Sequence, residues 1–507
     1  TYLYDDTDYH DPDAFDNQLI GSHTKRQIIA LEETHVFSPR LINTVRVGYN
    51  REYAANNHSV LAINPAAADT SLGSNPGGYA SDVRISGIGE LLGGLNSLST
   101  YYYHWNSIQA YDDASFTHGA HSLKFGFAVE RIRLNMLGLS NPGGVWNFGS
   151  LQAFLTNNPS KYTSGFVNTL TPRGYRQTVF GAYIQDDWHM RPNLTLNLGV
   201  RYEPTSVFTE IDGKLTNLIN LTDPTPHLGA PLYQNPTLRN FAPRVGFAWD
   251  PFKNGKTSVR GGFGMFDVLP LPYQFIIADV VASPFFQAGA VSSPTLPQGS
   301  FFTGGTPLLG ATSAVGAHFQ DNPKRDYVMQ WNLNVQRQLT PNLTATVGYV
   351  GSHGVHEPFR TEEFDNVTPQ LTSAGYLVPL NTPKINPNFG AIKGAVYDNS
   401  SSYNSLQIGI QKKMSHGLQA QGSFTWAKSF DDNSASVAGD QFSNSIAALW
   451  NWFAPSVSRS LSDFNVTRTL VINVTWEVPT LKSDLGPVTW VTNGWLLGGI
   501  YTASTGI

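Results

Sequence analysis

The chain has no cysteine. That removes disulfides, zinc–thiolate sites and thiol nucleophiles together. Charge is scarce as well: Asp, Glu, Lys and Arg make up 14% of the residues, against about 25% in typical soluble domains. The formal net charge of −5 gives no basis for a nucleic-acid partner. No run of about eighteen apolar residues occurs, which excludes a membrane-spanning helix. The opening Thr1-Tyr2-Leu3-Tyr4-Asp5-Asp6 holds no basic stretch leading into an apolar one, so it does not read as a signal peptide. The mean hydropathy is slightly negative. This argues against a helical membrane protein but leaves a membrane β-barrel open, because alternating strands average out polar.

What is abundant is aromatic residues, at 12%, with 47 glycines and a repeating grammar. A strand-like run enters a short polar turn and a second strand-like run leaves it. Over 177–203 the turn is Arg191-Pro192-Asn193, where proline presets φ and asparagine tolerates the left-handed region. Beyond it Leu194, Leu196, Leu198, Val200 and Tyr202 share one face, and Thr195, Asn197, Gly199, Arg201 and Glu203 share the other. Side chains alternate along a strand, so one face is apolar and one polar. The unit returns around Thr340-Pro341-Asn342, Ser415-His416-Gly417, Ser38-Pro39-Arg40, His118-Gly119-Ala120 and Lys253-Asn254-Gly255, with a last turn near Ser483 to Gly486. Seven hairpins predict about fourteen strands of roughly nine to eleven residues, enough to cross a bilayer at a tilt.

The connections are asymmetric. Turns inside hairpins are short, whereas 54–104, 134–174, 205–240, 268–324, 352–402 and 428–466 are long and rich in Gly, Pro, Asn, Ser and aromatics. Asn-Pro-Gly-Gly occurs at Asn75–Gly78 and again at Asn141–Gly144. Connections this long are uncommon in compact soluble domains, but outer-membrane barrels pair short periplasmic turns with long extracellular loops. Tyr49, Trp188, Tyr202, Tyr349, Trp426 and Trp476 fall near strand ends, where interfacial aromatic girdles sit. Gly48, Gly126, Gly199, Gly262 and Gly348 recur on the polar face at similar distances from their turns. They read either as a strip of wall left smooth or as relief of curvature.

Several stretches resemble the barrel of TonB-dependent receptors, in particular the Oar-like subgroup. They are Phe180-Gly181-Ala182-Tyr183-Ile184-Gln185-Asp186-Asp187-Trp188, Pro192–Glu203, Phe241-Ala242-Pro243-Arg244-Val245-Gly246-Phe247-Ala248-Trp249, Gln330–Gln336 and Tyr349-Val350-Gly351-Ser352-His353-Gly354. The resemblance runs from about residue 25 to the end. It implies an all-β, transmembrane antiparallel barrel of about 22 strands in the outer membrane of a Gram-negative bacterium, with a plug domain in its lumen and uptake energised by TonB. Residues 1–507 then read as a partial barrel, without the plug and the C-terminal strands.

Catalysis and metal binding find little support. Asp186 and Asp187 are adjacent, so a strand sends them to opposite faces. His353, His356 and Glu357, like His118 and His121, sit at turns or loop openings rather than on a helix. Gly261-Gly262-Phe263-Gly264 precedes no helix pattern that would offer a phosphate-binding N-terminus. No enzyme activity and no cofactor are expected. The expected function is TonB-dependent uptake of an oligosaccharide, peptide or metal chelate; the alternative is a passive channel or adhesin. Outer-membrane lipid and the TonB complex are the expected partners. Loop aromatics Tyr101, Tyr102, Tyr103, Trp105, Trp146, Trp450 and Trp452 are the expected substrate contacts, since aromatic faces stack on sugars and peptides.

Overall fold

The computed structural model describes residues 1–506 except 75–76, 98, 166–171, 295–313, 362, 366–368, 378, 380–383, 435–451, 481–488, 490 and 492. Its main sheet has 18 strands, three of them short. The long ones are β1 (Tyr2–Pro12), β2 (Gln18–Ser38), β3 (Leu41–Ala62), β4 (Thr100–His118), β5 (His121–Leu139), β6 (Arg173–Arg191), β7 (Leu194–Tyr202) and β8 (Phe241–Trp249). They continue with β9 (Thr257–Asp267), β10 (Tyr327–Thr340), β11 (Leu343–Thr361), β12 (Ala391–Ser415), β13 (Leu418–Asp431), β14 (Arg468–Glu477) and β15 (Leu496–Ser504). Each pairs antiparallel with the next in sequence, so the sheet is one up-and-down meander. Among the described residues no ladder joins β15 to β1; the sheet is an unclosed barrel wall with two edges.

Six of the expected turns join β2–β3, β4–β5, β6–β7, β8–β9, β10–β11 and β12–β13. Their chemistry is visible in the backbone: Gly119, Lys253, Gly255, His416 and Gly417 adopt positive φ. The register slips at Val36/Ser38, Trp188/Arg191, Gln338/Thr340 and Lys412/Ser415. A bulge beside the turn thus accommodates the loop length without moving the faces. The seventh turn, Ser483 to Gly486, lies outside the described residues, although β14 and β15 do pair.

Two expectations are corrected. There are fifteen long strands, not fourteen: β1, with the sequence YLYDDTDYHDP, carries acidic residues on both faces and gives no apolar alternation to detect. β1, β7, β8, β9, β14 and β15 keep the expected length, whereas nine of the fifteen strands exceed nine to eleven residues; β3 has 22 and β12 has 25. Their upper halves stand above the membrane and consume much of what reads as loop, because once clear of lipid a strand needs no apolar face.

The faces sort as the alternation requires. On β5, Phe125 and Phe127 point outward, 44% and 53% exposed, while Ile132, Leu134 and Met136 on the opposite parity are buried. Outward side chains form continuous cross-strand rows, such as Leu31, Val47, Ala110, Val129 and Phe180 over β2 to β6. The inner face is a polar network. The Tyr183 hydroxyl donates to Asp113 at 2.7 Å, Arg46 pairs with Asp113 at 3.3 Å, and Asn197 donates to Asp187 at 2.6 Å. Asp186 faces the other way, onto His121 at 2.6 Å.

The recurrent inner glycines sit directly opposite larger polar residues: Gly48 faces Gln109, Gly126 faces Tyr183, Gly199 faces Gln185, Gly262 faces Asn332 and Gly348 faces Asn334. A Cβ on Gly126 would come within 2.7 Å of the Tyr183 ring, and one on Gly348 would overlap the Asn334 amide. At these two positions glycine leaves room for the side chain of the neighbouring strand.

Val200 is 38% exposed on the outer face, between Ile184 and Pro243 in its row. Val200→Arg should cost roughly 2–4 kcal/mol, as for a cation at the bilayer midplane. Asn197→Arg, beside Asp187 on the inner face, should cost clearly less. Chemical unfolding in lipid vesicles measures both, and equal losses would contradict the assignment of faces.

Candidate functional site

Above the spanning rows the inner face changes character. On β4 it passes from Asp113, Tyr111, Gln109 and Ser107 to Trp105, Tyr103 and Tyr101. On β5 it passes from Glu130 to Ile132, Leu134 and Met136. This apolar rim receives chain from the long connections. Leu134, Met136, Tyr175, Phe208, Leu215, Tyr233, Phe275, Ile276 and Phe319 form one buried cluster, with Tyr101, Tyr103 and Trp105 packed against it. The rings of Tyr233 and Phe275 stack at 5.0 Å. The mouth over β4 to β6 is therefore filled by a folded core.

Several polar groups buried in or beside that core are paired, as burial favours. Tyr175 donates to Asp279 at 2.6 Å, and the Thr216 amide donates to the same carboxylate at 3.1 Å. Tyr397 donates to Gln274 at 2.6 Å, and Gln177 to the Pro270 carbonyl at 2.9 Å. Burial pushes the Asp279 carboxyl up to about 6, despite hydrogen bonds that favour the charged form.

Beside the core lies a cleft of about 330 Å³ lined by Arg84, Ser99, Tyr101, Asn141, Arg360 and Lys393, among others. Arg84 comes from a small five-stranded loop sheet in which Asp82–Ile85 runs beside Val145–Phe148. Arg360 and Lys393 come from the tops of β11 and β12. Asn141 opens the second Asn-Pro-Gly-Gly turn; it has φ +45°, and its side chain accepts from Ser99 at 3.1 Å. An adjoining cleft shares Ser140, Asn141 and Lys393 and adds Lys161. Four cations line the two clefts, of which Arg84 is also paired with Glu90 at 2.7 Å.

The expected aromatic contacts do not form one set. Tyr101, Tyr102, Tyr103 and Trp105 lie on β4 rather than in a loop, a correction that follows from the length of the strand. Tyr101 reaches the cleft, Tyr103 and Trp105 support the core, and Tyr102 has the opposite parity and faces outward. Trp146 is fully buried against Tyr162, with ring centroids 4.1 Å apart, and donates to Ser74 at 3.1 Å. It holds the loop sheet together. Trp452 packs edge-on to Phe364 at 5.3 Å, and Trp450 lies outside the described residues. The ring nitrogens of His353 and His356 bond the carbonyls of Ser401 and Arg325. Sequence reasoning missed Arg84, Arg360 and Lys393, which come from distant segments and carry no local motif.

Asp279 gives the mouth a pH dependence. Its carboxyl is raised from 3.8 to about 6 in the folded state, so the folded state binds the proton more tightly than the unfolded chain. The resulting stabilisation is fully present below about pH 4 and is lost as pH rises through 6, about 3 kcal/mol for a shift of about two units. Amide exchange over 276–282, corrected for intrinsic rate, should gain protection on acidification from pH 7 to pH 4. Asp279→Asn should flatten the response; an equally flat wild type would contradict it.

Comparison with known proteins agrees with this architecture. The family model of the outer membrane beta barrel domain matches residues 1–507. The TonB-dependent transporter Oar of Myxococcus xanthus is 24% identical over 159 residues, covering 29% of this chain and 13% of that protein. The solved outer membrane transporter YddB from Escherichia coli superposes with a TM-score of 0.50 at 12% identity, over 94% of this chain and 51% of that one. The chain thus spans about half the length of that solved transporter and a smaller share of the curated relative. The chain belongs to the outer membrane β-barrel domain family and is a protein of the Gram-negative outer membrane, similar to TonB-dependent transporters.

Proposed function

We propose that this chain supplies wall and mouth to an active uptake receptor, energised through TonB, whose nutrient carries negative charge. The observation that carries the reading is the mouth itself. A folded apolar core fills it over β4 to β6, and beside that core a polar cleft brings Arg84, Arg360 and Lys393 together with Tyr101. A passive channel keeps a wetted path, whereas this arrangement captures a ligand and leaves passage to a later movement. Guanidinium groups match carboxylate and phosphate in geometry as well as charge. An acidic oligosaccharide, an acidic peptide or an anionic metal chelate all suit the cleft.

In the same proposal further strands and a lumenal plug complete the barrel. Open strand edges in lipid leave N–H and C=O groups unpaired at several kcal/mol each, and only closure removes them. The similarity to TonB-dependent proteins supports the coupling. It is the main reason to prefer an importer to a passive channel or adhesin.

The test uses the full-length receptor in a Gram-negative host, with labelled oligogalacturonide, oligoglutamate and ferric citrate as anionic probes and maltoheptaose as the neutral one. At least one anion should accumulate, and loss of TonB or of the proton-motive force should reduce that accumulation at least tenfold. Arg360→Gln with Lys393→Gln should raise the half-saturating concentration about tenfold. Accumulation indifferent to TonB, accompanied by steady conductance in planar bilayers, would make the passive channel correct.

A further inference from the structure

The outer face carries a second concentration of cations, independent of the mouth and of its proposed role. On β2 to β6 the outward side chains lie in register, row above row. One row is wholly apolar, Leu31, Val47, Ala110, Val129 and Phe180, and the row on its turn side, Glu33, Val45, Asp112, Phe127 and Ala182, carries two acids. On the mouth side of the apolar row the next is Ile29, Tyr49, Ile108, Arg131 and Thr178, and above it lies Gln27, Arg51, Asn106, Arg133 and Arg176. Lys25, Tyr53, His104, Asn135 and Gly174 follow. Across these three rows there is no carboxylate.

Arg133 and Arg176 are direct cross-strand partners, and like charges placed directly opposite destabilise a sheet. Neither these two nor Arg131 forms an ion pair among the described residues. Arg131 donates to the Thr178 hydroxyl at 2.8 Å, and Arg176 to the Tyr175 carbonyl at 2.8 Å. Burial, then Arg133 and Arg131, hold the Arg176 pKa below its usual value; Glu210, the one acid acting on it, is occupied by the amides of Gly174, Asp212 and Lys214. Beside this cluster Lys25, Gln27, Arg51, Tyr53 and His104 line an outward cleft of about 510 Å³. Only at the β1 edge does an acid intervene, where Asp6 meets Lys25 at 3.1 Å.

A sheet that sets arginine against arginine without a carboxylate is built to meet an anion from outside. The height selects the source. The three rows lie on the mouth side of the wholly apolar row, the side on which an outward-facing barrel wall meets outer-leaflet headgroups. We infer that Arg51, Arg131, Arg133 and Arg176 form a binding site for the phosphate groups of an outer-leaflet glycolipid, with the acyl chains lying against the row that holds Val129 and Phe180. The arginines neutralise the phosphates, and the phosphates remove the repulsion within the Arg133–Arg176 pair.

The test places the chain, within its full-length receptor, in phosphatidylethanolamine nanodiscs containing bisphosphorylated lipid A, dephosphorylated lipid A or phosphatidylglycerol. Native mass spectrometry reads the lipid retained. Bisphosphorylated lipid A should be retained at least tenfold more than the dephosphorylated form and more than phosphatidylglycerol. Arg131→Gln/Arg133→Gln/Arg176→Gln should abolish the preference, and the corresponding triple lysine variant, which keeps the charge, should hold most of it. Equal retention of the two lipid A forms, or a glutamine variant that binds like wild type, would overturn the inference. Displacement of lipid A by millimolar inorganic phosphate would assign the site to free phosphate instead.

Discussion

Backbone pairing in lipid is the constraint from which the rest of this structure follows. A peptide group in hydrocarbon has no water to bond, so every strand that crosses must be paired on both sides. The chain meets this by laddering each long strand to its sequence neighbour, with short turns on one side. Register slips are confined largely to residues beside the turns, where pairing can lapse at the water boundary, and to the upper strand ends, as at Val355/Glu357. The two sheet edges at β1 and β15 are the positions where this constraint is still unmet.

Strict pairing then makes side-chain parity decisive. Because registers hold across β2 to β6, outward residues become cross-strand rows whose character changes along the strands: a wholly apolar row, then tyrosine and isoleucine with the first arginine, then arginine. Inward residues become a polar network whose members need lateral space. Glycine opposite Tyr183 or Asn334 supplies it. Higher still, the inner face turns apolar and the long connections fold onto it, so that one continuous strand such as β4 serves lipid, lumen and mouth in succession.

Much of this was legible in the sequence, for physical reasons. A half-buried strand writes its environment as a period of two, which located the six described turns and assigned Leu198 and Asn197 to opposite faces. The information failed where the environment no longer alternates. β1 has acids on both faces and was missed. Strand extensions above the membrane are wet on one side and packed on the other, and read as loop. The aromatic residues were legible as a class but not in role, since Trp146 as a core residue and Tyr101 as a cleft residue have the same local signature. Arg84, Arg360 and Lys393 meet only through tertiary folding, and the Arg133–Arg176 opposition exists only through register.

The account stands on the placement of alternate side chains in lipid and in the lumen, with a sharp upper boundary. The absence of cysteine permits a direct measurement: single cysteines at each position from Leu123 to Asn135, spin-labelled in the reconstituted receptor and probed with oxygen and with a polar nickel chelate. Phe125, Phe127 and Val129 should favour oxygen, while Gly126, Ala128 and Glu130 should not. Outward sites from Arg131 upward should switch to the polar reagent. Accessibility without a two-residue period, or an oxygen-favouring phase on Gly126, Ala128 and Glu130, would contradict the account.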